Sequence, residues 1–288
     1  MNVFRNTRTK IAAGAALLGI LLVTGVYLYQ TEKGGAAAGA EYLNDSLGIS
    51  DSSAGGDCVR VGTWNGADRS CTLTTDLELA PGSSVQITSD GITLDGNGHS
   101  VSGSGGNGIL VSGRAGVSIE NLSISGFSNG INLDSSRGSS VRDNRLTNND
   151  MLGISLSSSS SITVEGNTVD SNMMGIGLSD SSGNTLNANS ISNSDSGDGI
   201  SLDHSDGNQL TGNTSNSNMG NGLCIDANNS DNRIESNTAS NNTGAGIFLH
   251  QSDDNTVTGN QGADNSGGGI SLEDAGRNAI YGNDLPLA

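Results

Sequence analysis

The chain has 288 residues, with 44 Gly, only 2 Pro, 3% aromatic side chains and a formal charge of −18. That acid excess argues against nucleic acid or an anionic membrane surface as a partner, because like charges repel. A composition so rich in Gly, Ser and Asn would suit a disordered chain, but a strict internal repeat requires a built structure.

Residues 11–29, IAAGAALLGILLVTGVYLY, are 19 consecutive uncharged residues that follow Arg5, Arg8 and Lys10. Their length predicts a transmembrane helix within residues 1–30, with the basic end in the cytoplasm and the remainder exported. The small-x-small sequences at 36–40 lie far beyond the apolar run, so the expectation is an uncleaved anchor. Residues 31–56 lack apolar periodicity and read as a flexible linker. Residues 57–107 are expected to form a cap and the first irregular coils. Within them Cys58 and Cys71 flank VRVGTWNGADRS, where Asn65-Gly66 signals a hairpin turn. Two cysteines brought together in an exported protein predict a disulfide, contributing about 3 kcal/mol for so short a loop. Trp64, the only Trp, is expected to cover the end of the domain. Cys224 is left unpaired and reads as a space filler.

From residue 108 to 288 one unit recurs. Its first glycines are Gly108, Gly130, Gly153, Gly175, Gly199, Gly222, Gly246 and Gly269, spaced by 22 to 24 residues. Two apolar residues follow each glycine at alternate positions, such as Ile154/Leu156 and Ile200/Leu202, which is the period of a strand. A second apolar position follows at Val141, Val164, Leu186, Leu210, Ile234, Val257 and Ile280, across Ser-, Asp- and Asn-rich turns. Short strands at fixed phases, stacked coil on coil, predict a parallel β-helix. An Asn recurs at one phase, at Asn121, Asn144, Asn167, Asn189, Asn213, Asn237, Asn260 and Asn283. Stacked at about 4.8 Å, amides can bond along the column, so these residues predict a structural ladder. The repeat ends without an evident polar cap, and end-to-end self-association through the last coil is expected.

The sequence GITLDGNGHSVSG at 91–103, followed by units of the form GI-x-L-x5-N-x-V-x2-N, resembles the parallel β-helix repeats of NosD-like and CASH-domain proteins. The resemblance implies a right-handed, pectate-lyase-like fold over roughly residues 71–288. The family it points to includes polysaccharide lyases, hydrolases and epimerases, a periplasmic protein associated with copper delivery, and surface proteins. Fold alone does not choose among these.

In a β-helix a site is a column of residues at one phase. Four residues after each first glycine the column reads Ser112, Asp134, Ser157, Ser179, Asp203, Asp226, His250 and Glu273. Asp203 and Asp226 fall on neighbouring coils as paired carboxylates, with His250 as a proton carrier, so these three are the candidate catalytic residues. Glu273, His204 and Asp274 are candidate ligand-binding residues, and Asp203, Asp226 and Glu273 candidate Ca²⁺ ligands. The same phase is where strand gives way to turn, which favours Asp and Ser by itself. A lyase or epimerase acting on uronic acids would also require a cation, and no Arg or Lys joins the column. Met151, Met173 and Met174 form a small thioether group on adjoining coils, read as turn packing, with no histidine beside it. The sequence therefore favours an exported, anchored β-helix acting as a scaffold or as a binder of carbohydrate or another cell-envelope component. A polysaccharide-active enzyme and a Ca²⁺-assisted adhesin are the alternatives.

Overall fold

The computed structural model describes residues 39–285, which form a right-handed parallel β-helix. The expected anchor at 11–29 lies outside the described residues; among the described residues no helix is long and apolar enough to cross a membrane. Three sheets of 10, 11 and 8 strands form the walls. The first sheet runs from Leu47–Ile49 to Ile270–Glu273 and holds the glycine-led strands; the second runs from Gly62–Asn65 to Ala279–Tyr281, and the third from Glu41–Leu43 to Thr214–Asn216. One coil comprises Asn129–Asp134, Ser140–Arg142 and Arg145–Thr147, contributing a strand to each sheet in turn.

The period-two pattern sorts side chains as expected. In Asn129–Asp134, Ile131 and Leu133 are buried while Asn132 and Asp134 face outward. Ile131 stacks between Ile109 and Ile154, so like side chains fill the core coil after coil. The recurring glycine is also buried, because the first sheet runs close to the next coil and to the third sheet there. A Cβ at Gly175 would lie 2.2 Å from the Gly199 carbonyl oxygen and 2.4 Å from Ile191 Cγ2. Toward the C terminus the inward position of the third sheet shrinks from Leu146, Val169 and Ile191 to Ser215, Ala239 and Gly262. Over the same coils the ladder thins to single bridges, Thr214–Thr238–Gln261–Asp284.

The asparagine ladder is present and buried from Asn144 to Asn260. Asn167 Oδ1 accepts from Asn144 N at 3.0 Å and from Asn144 Nδ2 at 3.1 Å, and the pattern repeats to Asn283. Asn121 is a correction to the sequence reading. The rung before Asn144 is Leu122, whose N–H donates to Asn144 Oδ1, and Asn121 is the exposed left-handed residue preceding it, φ 58°.

Two further expectations change. Residues 41–49, expected within the linker, already form the strands Glu41–Leu43 and Leu47–Ile49. Leu43, Leu47 and Ile49 are buried, and this apolar alternation is short enough to be lost among Gly, Ala and Ser. Cys58 lies not on a strand but in a single helical turn, Cys58–Val61. The disulfide Cys58–Cys71 forms, joining that turn to strand Ser70–Leu73, and Gly62–Asn65 pairs with the latter as an antiparallel hairpin. Trp64 packs half-buried against the core from this hairpin, so the N-terminal end is covered. The last coil differs: Leu272 and Tyr281 are exposed.

Candidate functional site

The outward face of the first sheet presents alternate residues of each glycine-led strand, and the later coils place Asp203, Cys224, Asp226, Phe248, His250 and Glu273 there. Strand pairing sets Asp203 beside Asp226, Asp226 beside His250 and His250 beside Glu273. The predicted column is thus a continuous row. Its two aspartates are not left as a bare carboxylate pair, because each bonds an imidazole. Asp226 Oδ1 lies 2.5 Å from His250 Nδ1, and Asp203 Oδ1 lies 2.7 Å from His204 Nδ1. A ring nitrogen facing a carboxylate carries the proton and donates, which leaves Nε2 of His250 without a hydrogen-bond partner among the described residues. The hydrogen bond it donates to Asp226 raises the His250 pKa above its ordinary value, with Asp226, Glu273 and Asp274 adding charge attraction.

The Phe248 ring stacks on His250, with centroids 5.9 Å apart and planes 5° from parallel. The two residues stand two apart on strand Ile247–His250 and so share the outward face. The face therefore carries a parallel ring pair beside the Asp226 carboxylate. His204 and Asp274 sit differently from the row. Both occupy the left-handed residue that follows each glycine-led strand, φ 47° and 50°, where Asp180, Ala227 and Gln251 are also found. His204 turns back onto Asp203, and its Nε2 contacts Asn228 Nδ2 at 3.3 Å. No Arg or Lys stands on this face in any glycine-led strand. Arg233 and Arg277, the nearest in sequence, are held by Glu235 and by Asp253 and Asp254.

Sequence reasoning missed Asp198 and the environment of Cys224. Asp198 Oδ1 accepts from Asn221 N at 2.6 Å and Asn221 Nδ2 at 2.9 Å. Burial pushes its carboxyl pKa up, despite these two donors. Cys224 lies beside Phe248 on the outward row yet is only 5% exposed. Burial first, then the charges of Asp198 and Asp226, push the thiol far above its ordinary range, so it stays protonated. The available signal was the Gly-Asp-Gly at 197–199, where a carboxylate precedes a buried strand with no room for another side chain. A Cβ on Gly220 would meet Asp198 Oδ1 at 2.5 Å.

The search of curated proteins gives no match. Among solved structures, the enzymatically active domain of bacteriophage CBA120 tailspike protein 2 superposes with a TM-score of 0.62 at 13% identity, covering 75% of this chain and 39% of that one. A double mutant of the periplasmic alginate epimerase AlgG gives 0.58 at 19%, covering 73% and 62%, and another AlgG crystal structure gives 0.54. The chain spans less than two thirds of the length of these proteins, and at such identity the likeness concerns the fold. The family described as periplasmic copper-binding protein (NosD) matches residues 72–232 and 194–286, which together take in most of the β-helix, and the chain belongs to that family.

Proposed function

We propose that the protein is an exported β-helix that binds polysaccharide of the cell envelope on the outward face of the first sheet. The observation that carries this reading is the parallel Phe248–His250 ring pair beside Asp226. Sugar rings present apolar C–H faces edged by hydroxyls, which suits a flat ring surface bordered by carboxylate acceptors. Export is supported by the periplasmic family and by the disulfide, a bond that persists in oxidising compartments. One neighbour in fold, the alginate epimerase, carries polysaccharide chemistry in its name. Binding without turnover is favoured because no Arg or Lys stands on the face to neutralise a uronic acid as its proton leaves, and the imidazole of His250 is already paired with Asp226.

The family name carries copper, and the side chains of this chain do not fit it. A copper centre requires converging imidazole, thiolate or thioether donors. His250 has a free Nε2 but stands alone, His99 and His204 are engaged by Asp76 and Asp203, and the Cys224 thiol is protonated. Met151 and Met173 are 47% and 38% exposed rather than packed in the turns, with no imidazole beside them. Among the described residues no group of three His, Cys, Asp or Glu converges on a metal position.

The test is retention of the full-chain protein on insoluble neutral and uronic-acid polysaccharides, with and without Ca²⁺, while reducing ends and unsaturated products are followed. Phe248→Ala and His250→Gln should each lower retention about tenfold, the loss of one stacking or charge-assisted contact. Product formed by the parent and abolished in Asp226→Asn would replace binding by catalysis. Retention unaffected by both face variants would sink the proposal.

A further inference from the structure

The corner where the second sheet turns into the third carries a groove of about 510 Å³, on coils remote in sequence from the Asp226–His250 face. On most coils this corner consists of two residues: one left-handed residue, such as Asn121, Asp143 or Gly166, followed by an inward one. One early coil is longer, with four residues, 96–99, between strands Thr93–Asp95 and Ser100–Ser102. The extra residues stand up as a wall at one end of the groove. Asp95 braces that wall: its Oδ1 accepts from Asn97 N at 2.8 Å and from Asn121 Nδ2 at 3.0 Å. Gly98 N donates to the Asn121 carbonyl at 2.9 Å, tying the tip to the next coil.

Past the wall, Asp143 lies on the groove floor and Arg145 and Thr168 on its third-sheet side. Among the described residues neither the Asp143 carboxylate nor the Arg145 guanidinium makes a side-chain hydrogen bond or ion pair, a state Arg145 shares with Arg114, Arg137 and Arg142 while Arg60, Arg69, Arg233 and Arg277 are paired. Asp143 reaches over Gly166, where a Cβ would come within 2.7 Å of Oδ1, so that glycine keeps the carboxylate in the groove. An unpartnered acceptor and an unpartnered donor, two residues apart and of cancelling charge, face one concavity.

We infer that this groove is a second saccharide site, taking a neutral oligosaccharide with vicinal hydroxyls. A carboxylate accepts from two adjacent hydroxyls, and a guanidinium donates to hydroxyl and ring oxygens. With Asp95 counted beside Asp143 and Arg145 the lining carries one net negative charge, which favours a neutral ligand over an anionic one. From Asp95 to Gly166 the groove crosses three coil steps, about 14 Å, and it lies open to solvent along that length. The face carrying Phe248 and His250 shares no residue with it, so either site can fail while the other stands.

The experiment uses the full-chain protein, isotope-labelled, titrated with cellotriose, maltotriose and mannotriose, and separately with trigalacturonate. Amide shifts centred on Gly98, Asp143 and Gly166 with a neutral trisaccharide are expected. They should persist in His250→Gln and weaken about tenfold in Asp143→Asn and in Arg145→Gln, the scale of one charge-assisted hydrogen bond. Unchanged melting of both variants would show that the fold is intact. Shifts with trigalacturonate alone would overturn the neutral-sugar assignment. Absence of shifts with every neutral trisaccharide, or affinity indifferent to both substitutions, would overturn the site.

Discussion

At the scale of single residues, glycine serves this fold for two unrelated reasons. Gly175 is needed because a side chain would strike the next coil, whereas Gly183, φ 68°, has nothing within 4 Å of a Cβ and is needed only for its left-handed backbone. The sequence distinguishes them by phase, since only the first kind opens each repeat. His250 allows a sharper argument. Its pKa is raised above the ordinary 6.5 by the hydrogen bond to Asp226, so folding favours its protonated form. That stabilisation is fully present below pH 6.5 and is lost as pH rises through the folded value. The urea midpoint of the parent should therefore fall from pH 6.5 upward, while His250→Gln and Asp226→Asn give a flatter profile over the same range. A parent profile already flat would mean that the Asp226–His250 contact is not made in solution. Because both side chains are substantially exposed, the change should be small and should weaken further in salt.

At the scale of elements, strands in this protein are only three to six residues long, and their cohesion comes from the turns between them. The ladder through Asn144 and Asn213 was legible because one Asn recurs at a fixed phase. Two other asparagine stacks were not read: Asn149–Asn172, continued beyond Ser194 by Asn218–Asn242–Asn265, and Asn184–Asn208–Asn232–Asn255. A serine stack runs through Ser136, Ser159, Ser181 and Ser205. These were hidden because a stack tolerates Ser or Asn at the same rung, and because polar residues in a turn are expected without burial. In each stack a side-chain oxygen caps the buried N–H of the preceding coil, a duty set by packing between coils and invisible to local pattern. Asn213→Ala removes the acceptor of both Asn189 N and Asn189 Nδ2, 3.0 and 2.9 Å away, leaving buried donors unpaired. The expected loss is about 1–3 kcal/mol for each buried donor. Asn283→Ala, at the half-buried end of the same stack, should cost visibly less in the same urea titration, because water can replace the lost acceptor there. Equal losses at the two positions would show that the ladder does not owe its worth to burial.

At the scale of the whole molecule, the sequence made the β-helix and its long repeat region legible but left the face unresolved. Register follows from phase, so Asp203, Asp226, His250 and Glu273 could be aligned on paper. Side-chain direction could not, and it is direction that gives each aspartate its own imidazole and sets Phe248 parallel to His250. The two ends of the solenoid also differ, and this bears on how it comes apart. Each coil touches only its neighbours, so stability is nearly a sum over coils and their interfaces, and loss begins wherever an end is weakest. At the N-terminal end the disulfide between Cys58 and Cys71, 13 residues apart, restrains the cap, and Arg60 reaches Asp45 at 3.0 Å across the same coil. Reduction should remove about 3 kcal/mol by freeing the cap in the unfolded chain. With nearest-neighbour coupling, the loss should appear as faster amide exchange in strands Glu41–Leu43 through Leu77–Leu79, while strands such as Leu152–Ser157 keep their protection. Cys58→Ser/Cys71→Ser should reproduce the reduced profile. Uniform loss of protection along the chain would instead show that the coils unfold as one unit, and that the cap holds the whole solenoid and not only its first turn.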